Sequence, residues 1–173
     1  MKWKKALKIW WSVILMAACL GGCTESQFEP QPPQWAIEAN CCAMVSGVEV
    51  QGTLCHTIEG ISSFTVVSPE EIEGMQVQYR NGIYTVSFEG IVQSDMKSVM
   101  DESVFGRLFA ALDGGAQAEM EWENQQWSGE LSKGEGILVK TDEMGEISAL
   151  EVPVWQLTAA FTHEDTATSD EPL

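Results

Sequence analysis

The chain has 173 residues, 45% of them apolar, and sets 9 lysines and arginines against 26 aspartates and glutamates, for a net charge of -17. That length supplies the core of one domain, and a field of this sign disfavours nucleic-acid binding through a basic patch. The charge is uneven, because Lys2, Lys4, Lys5 and Lys8 all precede the first acid, Glu25.

After this basic start, Ile9 to Leu20 is an uncharged apolar run. As a helix it would rise about 18 Å, short of a hydrocarbon core of roughly 30 Å. A basic start, a short apolar stretch and small residues is the layout of a secretory signal peptide. The run closes on Leu20-Gly21-Gly22-Cys23, which resembles the bacterial lipoprotein signal. Gly21 stands where that family more often has Ala or Ser. Met16-Ala17-Ala18-Cys19 is a second frame, but it puts Met at the Leu position and shortens the apolar run.

The resemblance covers residues 1–23. It implies removal of a signal peptide spanning residues 1–22, a diacylglyceryl group on the Cys23 thiol, and a lipid-anchored location on the extracytoplasmic side of a cell membrane. One acyl chain gives marginal, reversible binding, whereas a diacylglyceryl group supplies the second anchor. Cleavage before Cys23 removes four lysines and no acid, taking the charge from -17 to about -21. Such a chain has no polybasic route to a membrane, so the lipid is its expected membrane partner.

Thr24 to Gln34 carries Pro30, Pro32 and Pro33 and reads as an extended tether, reaching about 34 Å at 3.1 Å per residue. The expected division is a lipid-anchored tether over 23–38, an antiparallel β domain over 39–162 and a disordered acidic tail over 163–173.

Within the domain, period two dominates. Ala43 to Val50, Leu54 to Ile58 and Ile61 to Val67 read as strands punctuated by Gln51-Gly52 and Glu59-Gly60. Ser68 to Gly74 reads as a short helical turn, with Ser68 as cap and Pro69 at the first helical position. Gln76 to Tyr79 and Ile83 to Phe88 flank Asn81-Gly82, the signature of a tight hairpin. Met96, Val99, Met100, Val104, Leu108 and Leu112 follow three- and four-residue steps and predict one long helix from Asp95 to Leu112, capped by Ser94 or Asp95 and ended by Gly114. Met120 to Trp122, Trp127 to Leu131, Ile137 to Lys140, Ile147 to Val152 and Val154 to Phe161 complete the strands. The predicted class is mainly β (α+β), an antiparallel sheet with one long covering helix and one short helical turn. Glu119, Glu121 and Glu123 would sit on a solvent-facing edge, where carboxylates discourage sheet-to-sheet aggregation.

A lipid-bearing Cys, a Pro-rich tether and a meander under one helix look like the lipid-carrier superfamily of LolA and its lipoprotein relatives. Phe64 to Met75 with Tyr84 to Gly90 is similar to small clostridial-type lipoproteins. The likeness implies a curved half-barrel holding an acyl chain between sheet and helix, and no functional residue travels with it. The helix face of Val99, Met100, Val104 and Leu108 is the expected lining of that cavity.

Setting aside Cys19 and Cys23 leaves Cys41, Cys42 and Cys55, an odd number. With a turn at Gln51-Gly52, Cys42 and Cys55 would be too far apart for a disulfide. Adjacent strand residues point to opposite faces, so Cys41-Cys42 with Cys55-His56 makes a poor zinc set. His56 and His163 are the only histidines, and no nucleophile elbow, zincin motif or Gly-rich phosphate loop is present. The expectation is a non-enzymatic cell-surface lipoprotein with no catalytic residues, no metal and no cofactor beyond the diacylglyceryl lipid on Cys23. It would bind or carry an apolar, lipid-like ligand; the alternative is a membrane-tethered structural or signalling interaction domain whose partner is an envelope protein.

Overall fold

A computed structural model describes residues 30–163, so the expected signal peptide, Cys23 and the tail beyond His163 lie outside the described residues. Six strands form the first half: β1 (Ile37–Val45), β2 (Val48–His56), β3 (Ser62–Ser68), β4 (Gln76–Arg80), β5 (Ile83–Phe88) and β6 (Ile91–Ser94). Two helices follow, α1 (Lys97–Met100) and α2 (Val104–Gln117). The second half is β7 (Glu121–Glu123), β8 (Gln126–Glu130), β9 (Gly136–Thr141), β10 (Ile147–Val152) and β11 (Leu157–Thr162). All eleven strands join one sheet in the order β6-β5-β4-β3-β2-β1-β11-β10-β9-β8-β7, and every pairing is antiparallel.

Each half is a meander of sequential neighbours. The first and last strands meet in the middle, while the helices carry the chain from one edge to the other. The sheet is open, with β6 and β7 at its edges.

Period two decides which face is covered. Ile37, Ala39, Cys41, Ala43 and Val45 are buried, and the residues between them turn outward. Val50 and Leu54 on β2, Phe64 and Val66 on β3, Val77 on β4 and Tyr84 on β5 extend this inner face; Ile137, Val139, Ile147, Leu150, Leu157 and Ala159 complete it beyond β1. Helix α2 lies across β1, β2 and β11.

The Asn81-Gly82 hairpin forms as the sequence predicts, with Tyr79 opposite Tyr84 and left-handed φ of 51° and 80° at the two turn residues. Other boundaries differ from expectation for identifiable reasons. The first turn is Ser46-Gly47, also left-handed at both positions, so the predicted Ala43 to Val50 strand is divided between β1 and β2. Gly52 is inside β2 at a bulge, where a Cβ would overlap the Thr65 carbonyl and the Phe64 ring. Its glycine serves close packing rather than a turn. Ser68 ends β3, and Pro69 takes the cap position of a 3-10 turn, Glu70–Ile72. Glu89-Gly90 makes another tight turn and adds β6, which the sequence reading omitted.

The predicted long helix is two pieces. Ser103 Oγ accepts from the Gly106 amide and donates to the Met100 carbonyl at 2.7 Å, so the hydroxyl caps α2 and closes the corner after α1. Gly106 lets the corner fold tightly, since a Cβ there would overlap the Met100 carbonyl. At the far end Gly114 does not stop the helix. Leu131 packs on Gly114 and the Trp35 ring fills the place of a Gly115 side chain, so α2 continues to Gln117. Near the C-terminus, Pro153–Trp155 is a 3-10 turn and Gln156 is left-handed, which moves the start of β11 to Leu157.

Candidate functional site

The expected cavity lining divides between two surroundings. Met100, Val104 and Leu108 face the sheet at 7%, 6% and 0% exposure, but Val99 is 65% exposed and turns to solvent. Val99 sits on α1, before the Ser103 corner, so the three- and four-residue steps do not carry its face onto α2. Between helix and sheet the space is occupied by side chains. Phe64 and Phe105 meet edge to face at 5.4 Å, Tyr84 stacks on Phe109 at 6.5 Å, and Phe109, Ala111 and Leu112 are fully buried. Contacts of this kind give a core its density.

One polar group is set into this apolar interior. His56, the last residue of β2, is 2% exposed, and Ser62, opposite it at the start of β3, is 0% exposed. Ser62 Oγ lies 2.8 Å from His56 Nδ1, and Asp113 Oδ1 on α2 lies 3.8 Å from His56 Nε2. In the neutral tautomer with its proton on Nε2, that proton turns toward Asp113 while Nδ1 accepts from the Ser62 hydroxyl. Burial pushes the His56 pKa down to about 4 and pushes the Asp113 carboxyl up. Asp113 Oδ1 is buried without a hydrogen-bond partner.

The residue types are those of a nucleophilic triad, but a hydroxyl at 0% exposure has no access to a substrate. What the arrangement does is join α2 to the β2–β3 end of the sheet. Gly60 makes the approach feasible, since a side chain there, at a φ of 73°, would press on the Asp113 carboxylate. The sequence singles out His56 as one of only two histidines but carries no motif that joins it to Ser62 or Asp113. Asp113 falls four residues after the buried Phe109, a signal that its carboxylate faces inward.

Cys41, Cys42 and Cys55 are free. Cys41 faces the core, where burial raises its thiol pKa to about 12. Cys42 faces outward, and burial together with Glu49 holds its thiol above the ordinary value. Cys55 is opposite Glu38 and Cys42 opposite Gln51. That register replaces the expected one, and separates the two thiols by about 13 Å along the strands. Cys55 and His56 point to opposite faces, one exposed and one buried.

On the outer face, Cys42, Ala160, Ala149 and Lys140 are register neighbours across β1, β11, β10 and β9. Their short members leave a shallow recess of about 320 Å³, bordered by Met44, Leu138, Glu49 and Glu151. Of the three expected edge carboxylates, Glu121 and Glu123 are exposed on β7, with Trp122 between them 5.4 Å from Trp127, whereas Glu119 is exposed ahead of the strand, which begins at Glu121.

The expected tether ends earlier than residue 38. The Gln34 amide donates to the Gly145 carbonyl at 2.8 Å, its side chain donates to the Met144 carbonyl, and β1 begins at Ile37. His163, placed by the sequence reading in the tail, lies 3.0 Å from the Ile147 carbonyl through Nε2. Among the described residues no helix is long and apolar enough to cross a membrane. Neither a scan against protein-family models nor a search of curated proteins finds a match to this chain.

Proposed function

We propose that this chain is a lipid-anchored domain on the extracytoplasmic side of a cell membrane, attached through Cys23, and that it works as a tethered interaction domain rather than as a carrier of an apolar ligand. The observation that carries the choice is the occupied interior: Leu108, Phe109 and Leu112 are at 0% exposure in the space where a LolA-like half-barrel would seat an acyl chain. A ligand entering there must displace aromatic contacts, whereas the long open sheet offers a large surface to another protein. The reading includes no catalytic residue and no cofactor beyond the diacylglyceryl group.

A fluorescent fatty-acid titration of the full chain tests it. The expected result is no saturable binding in the wild type. Saturable binding that Leu108→Trp abolishes, with the fold intact by circular dichroism, would restore the carrier reading. Binding abolished by Ala160→Trp instead would place an apolar ligand in the outer recess, the one feature that favours a second reading.

A further inference from the structure

Antiparallel register fixes which loops share an end of the sheet. Ile37 at the start of β1 is opposite His56, so the β2–β3 loop, 57–61, lies beside the entry of the chain. Arg80 pairs with Ile83 and Tyr79 with Ser62, which brings the β4–β5 turn to this same end. Ile147 pairs with Thr141, and Gln34 bridges Glu146, which adds the β9–β10 loop. The other end holds Ser46-Gly47, Glu89-Gly90 and the Pro153–Trp155 turn.

At the entry end the β2–β3 loop, the first residue of β5 and the β9–β10 loop each expose a large apolar side chain, while the β7–β8 turn, Asn124-Gln125, shares this end and is polar. Ile58 is 74% exposed, Ile83 51% and Met144 65%. Ile58 and Met144 lie to either side of the point where the N-terminal segment leaves. The opposite end also exposes apolar residues, among them Val48 at 61% and Val154 at 68%. What separates the two ends is reach. Pro30 to Gln34 is already committed to the domain, since Gln34 is pinned to Gly145 and a Gly145 side chain would meet the Pro32 carbonyl. Only the residues between Cys23 and Pro30 can separate the lipid from the domain, and fully extended they span at most about 25 Å. A strand of nine residues such as β1 is about 30 Å long, so the far end cannot turn to the bilayer without unfastening Gln34.

We propose that the entry end of the sheet is a membrane-docking surface, with Ile58, Ile83 and Met144 resting in the headgroup layer of uncharged lipids around the anchor. The preference for uncharged lipid follows from the neighbours of these tips. Glu59, Asp142, Glu143 and Glu146 stand in the same loops, against Arg80 and Lys140 on the adjoining strand ends and His163 beside Glu146, so the acids outnumber the lysine and arginine and an anionic surface would repel this end. The inference rests on lipidation of Cys23, and the experiment separates the two claims.

The lipidated full chain, labelled with ¹⁵N, is placed in phosphatidylcholine nanodiscs carrying a gadolinium-chelating lipid. Amides of Ile58, Ile83 and Met144 should broaden at least threefold more than those of Gly47, Gly90 and Val154. Replacing half of the lipid with phosphatidylglycerol should reduce the excess at least twofold, as should the combined Ile58→Ser, Ile83→Ser, Met144→Ser variant, whose changes all fall on exposed side chains. Equal broadening at both ends, or an excess that neither change reduces, overturns the docking surface while leaving the anchor in place. A purified chain whose Cys23 has no lipid mass by mass spectrometry overturns the anchoring reading itself.

Discussion

Replacing His56 with glutamine tests the interior most directly, because glutamine can still bond Ser62 but cannot take up a proton. In the unfolded chain the imidazole titrates near its ordinary value of 6.5, and in the fold burial lowers it to about 4. Between those values the unfolded state binds the extra proton, so His56 contributes stability that is complete above about pH 6.5 and is lost as the pH falls toward 4. At about 1.4 kcal/mol for each tenfold change in proton affinity, the loss is about 3 kcal/mol, on the order of a hundredfold in the unfolded fraction. Asp113 acts in the opposite sense: its raised pKa means the folded state holds that proton more tightly, giving stability in acid that fades as the pH rises through the folded value. Asp113 is present in both proteins compared, so the difference between them reports His56. Urea unfolding of the wild type and His56→Gln across pH 7.5 to 4 should show the two curves converging as the pH falls, by about 3 kcal/mol over the whole range. Parallel curves would refute the argument. So would an imidazole resonance that titrates at or above 6.5, which would mean that Asp113, 3.8 Å away, holds His56 as a buried cation.

Leu108→Ala removes a fully buried side chain from α2 and should cost about 2–5 kcal/mol in chemical denaturation. Gly115→Ala sets a methyl against the Trp35 ring; the expected outcome is a loss of about 1–3 kcal/mol together with a red shift of tryptophan emission as the ring is expelled. Cys23→Ala should leave an uncleaved or released form in membrane fractionation, and normal maturation with full membrane retention would refute the lipidation. Gly82→Val forces a branched side chain into a φ of 80°; it should cost more than 1 kcal/mol, and an unchanged denaturation midpoint would contradict the turn assignment.

The sheet was legible because its signal is local. Alternation over five or six residues and an Asn-Gly pair specify a hairpin without help from the rest of the chain, and β4 and β5 pair about the expected Asn81-Gly82 turn. The first hairpin was misread where two glycines competed. Gly47 and Gly52 both look like turn residues, and the deciding contact, the Thr65 carbonyl against Gly52, comes from β3 and is invisible in the local sequence. The helix failed in the same way at both ends, since the Ser103 corner depends on how closely Met100 approaches Gly106, and the reach beyond Gly114 depends on Trp35. Of the expected lining, Met100, Val104 and Leu108 point inward, but periodicity reports only that a face is apolar. Whether such a face encloses a ligand or a packed core depends on the aromatic rings brought to it by β3 and β5. The His56, Ser62 and Asp113 group was out of reach for a related reason: two members adjoin one loop, and the third arrives from a helix more than fifty residues later.

The opening charge balance gains a physical meaning from the open sheet. An eleven-stranded sheet that does not close leaves two rows of backbone donors and acceptors at β6 and β7, each a template for pairing with another copy. On β7 the risk is met locally by Glu121 and Glu123, exposed on the edge itself. On β6 it is not, because Ile91, Val92, Gln93 and Ser94 are uncharged and all exposed. Antiparallel self-pairing there would bring Glu89 of one copy close to Asp95 of the other, and would do so between molecules that are strongly acidic, at -17 for the full sequence and more negative without its four N-terminal lysines. Repulsion of that kind is long-ranged at low ionic strength and is screened within about 8 Å at physiological salt. At close approach the acidity therefore opposes pairing at an edge that carries no charge of its own.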